Sequence, residues 1–221
     1  MKTCRTPLVV AACLGLMVSS LPAVPSDSST ALGQKLNDYM VRLTQFGFSG
    51  ALLVAKKDEI ILNQGYSWAD KESLIPNTAA SVFSTGSITK QFTAEAILKL
   101  EMQGRLKTED AISKYLPGVP SDKQAITLHH LLSHTSGLRA DDGGGSMPDR
   151  ERFVQEILSR PLQAAPGKRF EYSNAGYGLL AVIIEKVSGQ GYEQYLQDNL
   201  FAPAGMSDTG HRLPRWEAKR I

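Results

Sequence analysis

The apolar residues Leu32, Leu36, Tyr39, Met40, Leu43 and Phe46 recur at helical spacing, which predicts an amphipathic N-terminal helix. The period then shortens. Residues 48–55 (FSGALLVA) and 59–63 (EIILN) are brief apolar runs joined by the charged turn Lys56-Lys57-Asp58, and they read as an antiparallel hairpin. The first run is almost continuously apolar, as expected of a strand covered on both faces. From Ser87 the helical period returns: Ile88, Phe92, Ala96 and Leu100 form an i, i+4 ladder, joined by Ile97 and Leu98, with Gly104 as the stop. The scarcity of polar positions on this helix predicts that it is buried. Further helices are expected over 108–115, 127–133, 150–160, 175–188 and 191–201, with a surface loop at 141–146. The order predicts an α/β (α+β) domain, with a hairpin sheet and a long helical region. Two strands alone make a marginal sheet, so further strands are expected beyond Ile221.

The first 30 residues stand apart from this pattern. Lys2 and Arg5 precede an apolar stretch from Leu8 to Val18, too short to span a bilayer comfortably, and Ser19, Ser20 and Ala23 follow. This predicts a signal peptide over 1–23, a Ser-rich linker over 24–30 and a periplasmic or extracellular protein. Residues 31–221 then form one incomplete domain, with helix and hairpin over 31–80 and a mainly helical region over 81–221. Both cysteines, Cys4 and Cys13, fall inside the signal segment. The mature chain is therefore expected to lack a disulfide, a thiol nucleophile and a Cys-bound metal. The 221 residues are 42% hydrophobic and 21% charged, ordinary for a globular protein, with a formal charge of +2. Without Lys2 and Arg5 the 24 basic residues become 22, equal to the 22 acidic ones. A neutral mature chain gives no electrostatic reason to expect nucleic acid as a partner. Membrane contact is expected only through an uncleaved signal segment.

The candidate chemistry lies in Gly86-Ser87-Ile88-Thr89-Lys90. A serine and a lysine three apart share one helix face, and a nearby base is what a serine hydroxyl needs to become a nucleophile. A chain of this length contains about one S-x-x-K by chance, so its companions decide. The single Y-x-N in the chain is Tyr172-Ser173-Asn174. In an extended segment residues two apart project to the same side. A phenol beside a lysine ammonium is drawn toward phenolate, either base could take the Ser87 proton, and the two would titrate as a unit. The amide of Asn174 can fix the lysine and hold a substrate amide. Taken alone, the same triplet also reads as a turn with a buried tyrosine.

Four segments together resemble the serine β-lactamase and penicillin-binding protein superfamily, in its class C-like branch. FSTGSITKQFTA (83–94) is similar to the nucleophile motif with its flanks, and HLLSHTSGL (130–138) to a structural hallmark. The segment from Pro166-Gly167 through Tyr172-Ser173-Asn174 is similar to the second motif, with tyrosine where S-D-N has serine. PAGMSDT (203–209) resembles a segment that follows the next helices. The resemblance implies a β-lactamase/transpeptidase-like fold, with an antiparallel sheet flanked by helices and an all-α subdomain. It implies Ser87 as nucleophile, Lys90 and Tyr172 as shared general base, and Tyr172 as proton donor to the leaving group. Asn174 would orient Lys90 and the substrate, and the Ser87 N–H would serve as one oxyanion donor. The third motif, K-T-G or H-x-G on a later strand, has no match after Asn174. The chain is therefore expected to be a fragment without its closing strands, and residues 24–221 alone are expected to be inactive and poorly folded.

The resemblance implies a secreted serine hydrolase without cofactor or metal. Its partners would be D-alanyl peptides, β-lactams or small esters. A penicillin- or peptidoglycan-binding sensor of the same fold is the rival expectation. The His130 and His134 pair, with His129, has the spacing of a zinc clamp but no H-E-x-x-H glutamate, so structural roles are expected. Asp208-Thr209-Gly210 matches an aspartic protease triplet but lacks the β-rich frame, and it reads as coincidence. No G-x-S-x-G occurs.

Overall fold

The computed structural model describes residues 31–139 and 149–210, so the expected signal segment, linker and 141–146 loop lie outside the described residues. The chain divides into two units, one up to Ser81 and one from Val82 onward.

In the first unit, helix α1 (Ala31–Thr44) is followed by strands β1 (Gly50–Lys56) and β2 (Glu59–Tyr66), paired antiparallel from Gly50↔Tyr66 to Lys56↔Glu59. A register shift at Val54/Ala55 marks a bulge. Met40 of α1 is buried, as are Leu62 and Tyr66 of β2. The Tyr66 hydroxyl donates to Asn37 Oδ1 of α1 at 3.2 Å. Two expectations are corrected here. The helical stripe is only partly covered, since Leu32, Tyr39 and Phe46 are exposed. Strand β1 is not covered on both faces: burial alternates along it, and Leu53 is 60% exposed. Alternation is what a two-stranded ribbon with one packed face gives. The short strands β3 (Trp68–Asp70) and β4 (Ile75–Pro76) were not expected, because two or three residues carry no readable period.

The second unit is helical. A 3-10 turn, Gly86–Ile88, runs into α2 (Thr89–Met102), so Ser87 lies one turn ahead of the α-helix. Then come α3 (Leu128–Leu132), α4 (Arg150–Ser159), α5 (Asn174–Ser188) and α6 (Tyr192–Leu196), the last continuing as a π-helical turn, Gln197–Phe201. Contrary to expectation, α2 is buried on one face only. Thr93, Ala96, Ile97 and Leu100 point inward, while Gln91, Glu95 and Leu98 are exposed. The enclosed helix is α5, which buries nine residues including Leu179, Leu180, Ile183 and Ile184, and a helix apolar all round belongs at a core centre. It packs against α2, α3, α4 and α6. The N-cap of α5 is Ser173, whose hydroxyl accepts the Gly176 N–H, and its C-cap is Gly189 in the left-handed region.

The helix expected over 108–115 is a single 3-10 turn, Ile112–Lys114. Its backbone is committed elsewhere: the Ile112 N–H donates to Ile126 O, and the Asp110 carbonyl accepts the Leu128 N–H. Backbone groups paired across the chain are not free for i→i−4 bonds.

Candidate functional site

Every residue singled out for chemistry belongs to the second unit. Gly86 has φ +50, a turn conformation that glycine adopts without strain, and it delivers Ser87 to the exposed start of the 3-10 turn. The first hydrogen bond of that turn runs from the Ile88 N–H to Thr85 O, which leaves the Ser87 N–H at the open end. Lys90, one turn on, reaches back and donates from Nζ to Ser87 Oγ at 3.2 Å.

The other half of the site arrives from 85 residues away. Tyr172 Oη lies 2.6 Å from Ser87 Oγ. Asn174 occupies the first position of α5 rather than a loop, and its Oδ1 accepts from Lys90 Nζ at 2.8 Å. Ser173 between them is extended, with φ −135° and ψ 120°, which puts Tyr172 and Asn174 on the same cluster. Lys90 Nζ also sits 4.7 Å from the Tyr172 ring centroid and 5.5 Å from that of Tyr177. The four expected residues are therefore brought together.

The electrostatics follow from this packing. Hydrogen bonding with the Lys90 ammonium, and next with the Ser87 hydroxyl, holds the Tyr172 phenol below its ordinary value of 10.0. Burial pushes Tyr177 the other way. Ser87 is exposed and Lys90 half-buried, so the hydroxyl is open to solvent while the amine is partly shielded. An ammonium cannot accept a proton, and Tyr172, which hydrogen-bonds with both Lys90 and Ser87, is a group with which Lys90 can exchange one.

Sequence reasoning did not foresee two neighbours. Tyr177 lies three residues past Asn174 on α5, hence on the same face, and its hydroxyl donates to Leu132 O at 2.9 Å. His134 stacks on Tyr172 and Tyr177. The i, i+3 relation to Asn174 could have found Tyr177; nothing in the local spacing points to His134. The His130 and His134 rings turn to different backbone partners. His130 Nδ1 accepts the Thr127 N–H at 3.2 Å in a capping box, and His134 Nδ1 accepts the Ser173 N–H at 3.1 Å. Asp208 is exposed in the turn after Phe201.

The sequence pattern of the beta-lactamase family matches residues 42–221, a span that contains all four clustered side chains. The chain belongs to the beta-lactamase family. Penicillin-binding protein 4* of Bacillus subtilis is 36% identical over 183 residues, 79% of this chain and 40% of that protein. A penicillin-binding protein structure from Bacillus halodurans shares 29% identity at a TM-score of 0.70, covering 82% of this chain and 59% of the other. The D-amino acid amidase of Ochrobactrum anthropi, solved with D-phenylalanine, shares 26% identity at a TM-score of 0.73, covering 85% and 54%. The fold is thus that of the β-lactamase-related serine hydrolases, with mixed helix and antiparallel sheet. The chain spans between 36% and 44% of the length of the curated relatives it matches.

Proposed function

We propose that this chain carries the nucleophile, base and orienting amide of a secreted serine hydrolase that works through a Ser87 acyl-enzyme. The observation that supports the reading most is Ser87 Oγ, held 2.6 Å from Tyr172 Oη and 3.2 Å from Lys90 Nζ by separate elements. In this reading Tyr172, acting with Lys90, takes the hydroxyl proton as Oγ bonds to the acyl carbon. The tetrahedral oxyanion is met by the Ser87 N–H at the open end of its turn. When the bond to the leaving group breaks, Tyr172 returns the proton to it. Water, deprotonated by the same pair, then releases the acyl group. Asn174 keeps Lys90 aimed at Ser87 and offers its amide N–H to the substrate.

D-alanyl peptides, β-lactams and small esters are the proposed substrates, and the apolar segment at 8–18 supports export to the periplasm or exterior. The test is intact-mass analysis of the protein carrying the closing strands expected beyond Ile221, since residues 24–221 alone are expected to be inactive, mixed with a labelled penicillin and, separately, p-nitrophenyl acetate. A transient adduct on Ser87 with product release is expected. A stable stoichiometric adduct would instead favour a penicillin sensor, and no adduct from either donor would overturn both.

A further inference from the structure

We propose that His134 is a positioning residue for the Ser87 site, holding the Tyr172 phenol against Ser87 and Lys90; this rests on reading Tyr172 as the proton-transfer partner. Three consecutive residues of the Tyr172 segment each meet residue 134. The His134 carbonyl accepts the Glu171 N–H at 2.7 Å, its ring lies 4.6 Å from the Tyr172 ring at a 31° tilt, and its Nδ1 accepts the Ser173 N–H at 3.1 Å. Tyr177 is a second ring neighbour, 5.0 Å away at 36°, and Phe170 packs edge-on at 5.8 Å. One side chain therefore fixes the ring that touches Ser87 and the N-cap residue just before Asn174.

The backbone singles out the same residue. His134 has φ +58, and it is the one non-glycine with positive φ among the described residues of the second unit. Such a conformation is uncommon outside glycine, though histidine and asparagine adopt it more readily than most. It persists here because the following residues are clamped: the Gly167 N–H donates to Thr135 O, and the Gln163 N–H to Gly137 O. A Cβ on Gly137 would overlap the Ala164 carbonyl oxygen, so this approach is as close as the backbone allows. A side chain that served only to fill space would need neither the strained backbone nor an acceptor nitrogen aimed at Ser173.

The groups facing the Tyr172 ring and hydroxyl are Lys90 from α2, Ser87 from its turn, Tyr177 from α5 and His134. A displacement of about 1 Å at such a cluster costs on the order of 10² in rate. Two variants of the intact protein separate the contributions. His134→Asn tolerates the left-handed backbone and can accept from Ser173 but has no ring; His134→Phe keeps a ring and has no acceptor. For both, the Ser87 acylation rate with p-nitrophenyl acetate, the ultraviolet titration of Tyr172 (taken as the difference from Tyr172→Phe) and the melting temperature are measured. Expected for His134→Asn are a fall in kcat of about tenfold, no larger than Tyr172→Phe shows with the same ester, with KM little changed, and a Tyr172 titration moving up toward 10.0 in a folded protein. Both variants acylating at the wild-type rate with Tyr172 titrating unchanged would overturn the proposal, as would a loss that merely tracks unfolding. If the wild type takes no acyl group on Ser87, the hydrolase reading fails; a Tyr172 shift in the variants would still support the positioning role, and its absence would overturn it.

Discussion

Replacing Tyr172 by phenylalanine removes one oxygen from the site and little else. The lost contacts are the 2.6 Å hydrogen bond to Ser87 Oγ and the hydrogen bond with Lys90, while Lys90 Nζ keeps its 3.2 Å reach to Ser87 Oγ. General acid–base assistance from one positioned group is worth about 10²–10⁴ in rate, or roughly 3–5 kcal/mol of barrier. With Lys90 still in place, the expected loss lies at the low end, about 10²–10³, for an alkyl ester or an amide. Those leaving groups need a proton as they depart; p-nitrophenolate does not. The loss with p-nitrophenyl acetate is therefore expected to be smaller by about tenfold. Stability should barely change, because Tyr172 is 40% exposed and its hydroxyl partner is exposed, so the net bond contributes at most about 1 kcal/mol. The assay is the pre-steady-state acylation rate for both ester types, beside a thermal melt. Equal losses with both leaving groups would refute the proton-return role, and no loss with either would refute any role for the phenol.

Substituting Lys90 with methionine cuts the links to Ser87 Oγ and Asn174 Oδ1; acylation should fall by about 10²–10⁴ and the Tyr172 titration should rise toward 10.0, both measurable on one sample. Burial, and then the charge of Lys90, hold His134 below its ordinary 6.5, so the unfolded chain binds this proton first as pH falls. The melting temperature should accordingly drop as pH goes from 6.5 downward, and the drop should be smaller in His134→Asn. Gly137→Ala forces a Cβ onto the Ala164 carbonyl and strains a φ of +77; a loss of about 1–3 kcal/mol in urea unfolding is expected, and a neutral result would contradict the close approach. Leu180→Ala, at the fully buried centre of α5, should cost about 2–5 kcal/mol in the same experiment.

Periodicity made α1, the β1–β2 hairpin, α2 and α5 legible, because each buries a face set by spacing along its own segment. Where burial depends on a neighbouring element, spacing was a poor guide. The apolar run of β1 looked enclosed, yet Leu53 is open; α2 looked buried, yet the enclosed helix is α5. The stretch at 108–115 has helical patterning, but the backbone of Asp110 and Ile112 pairs with residues 126–128 instead. Within the site, Ser87 and Lys90 were readable because three residues on a helix is a distance. Tyr172 and Asn174 were reachable only through motif order, since nothing local says that a segment 85 residues away will fold back onto Ser87. His134 was hidden for a further reason: its left-handed backbone and its ring stacking arise from the clamp between 135–137 and 163–167, a tertiary arrangement with no periodic signature.

The most direct test of the central claim is peptide mapping of the protein after reaction with p-nitrophenyl acetate, run beside Ser87→Ala. A single acetyl group on Ser87 in the wild type, and none in the variant, is the predicted result. An acetyl group carried on another residue, or the same labelling in Ser87→Ala, would contradict the claim that Ser87 is the nucleophile.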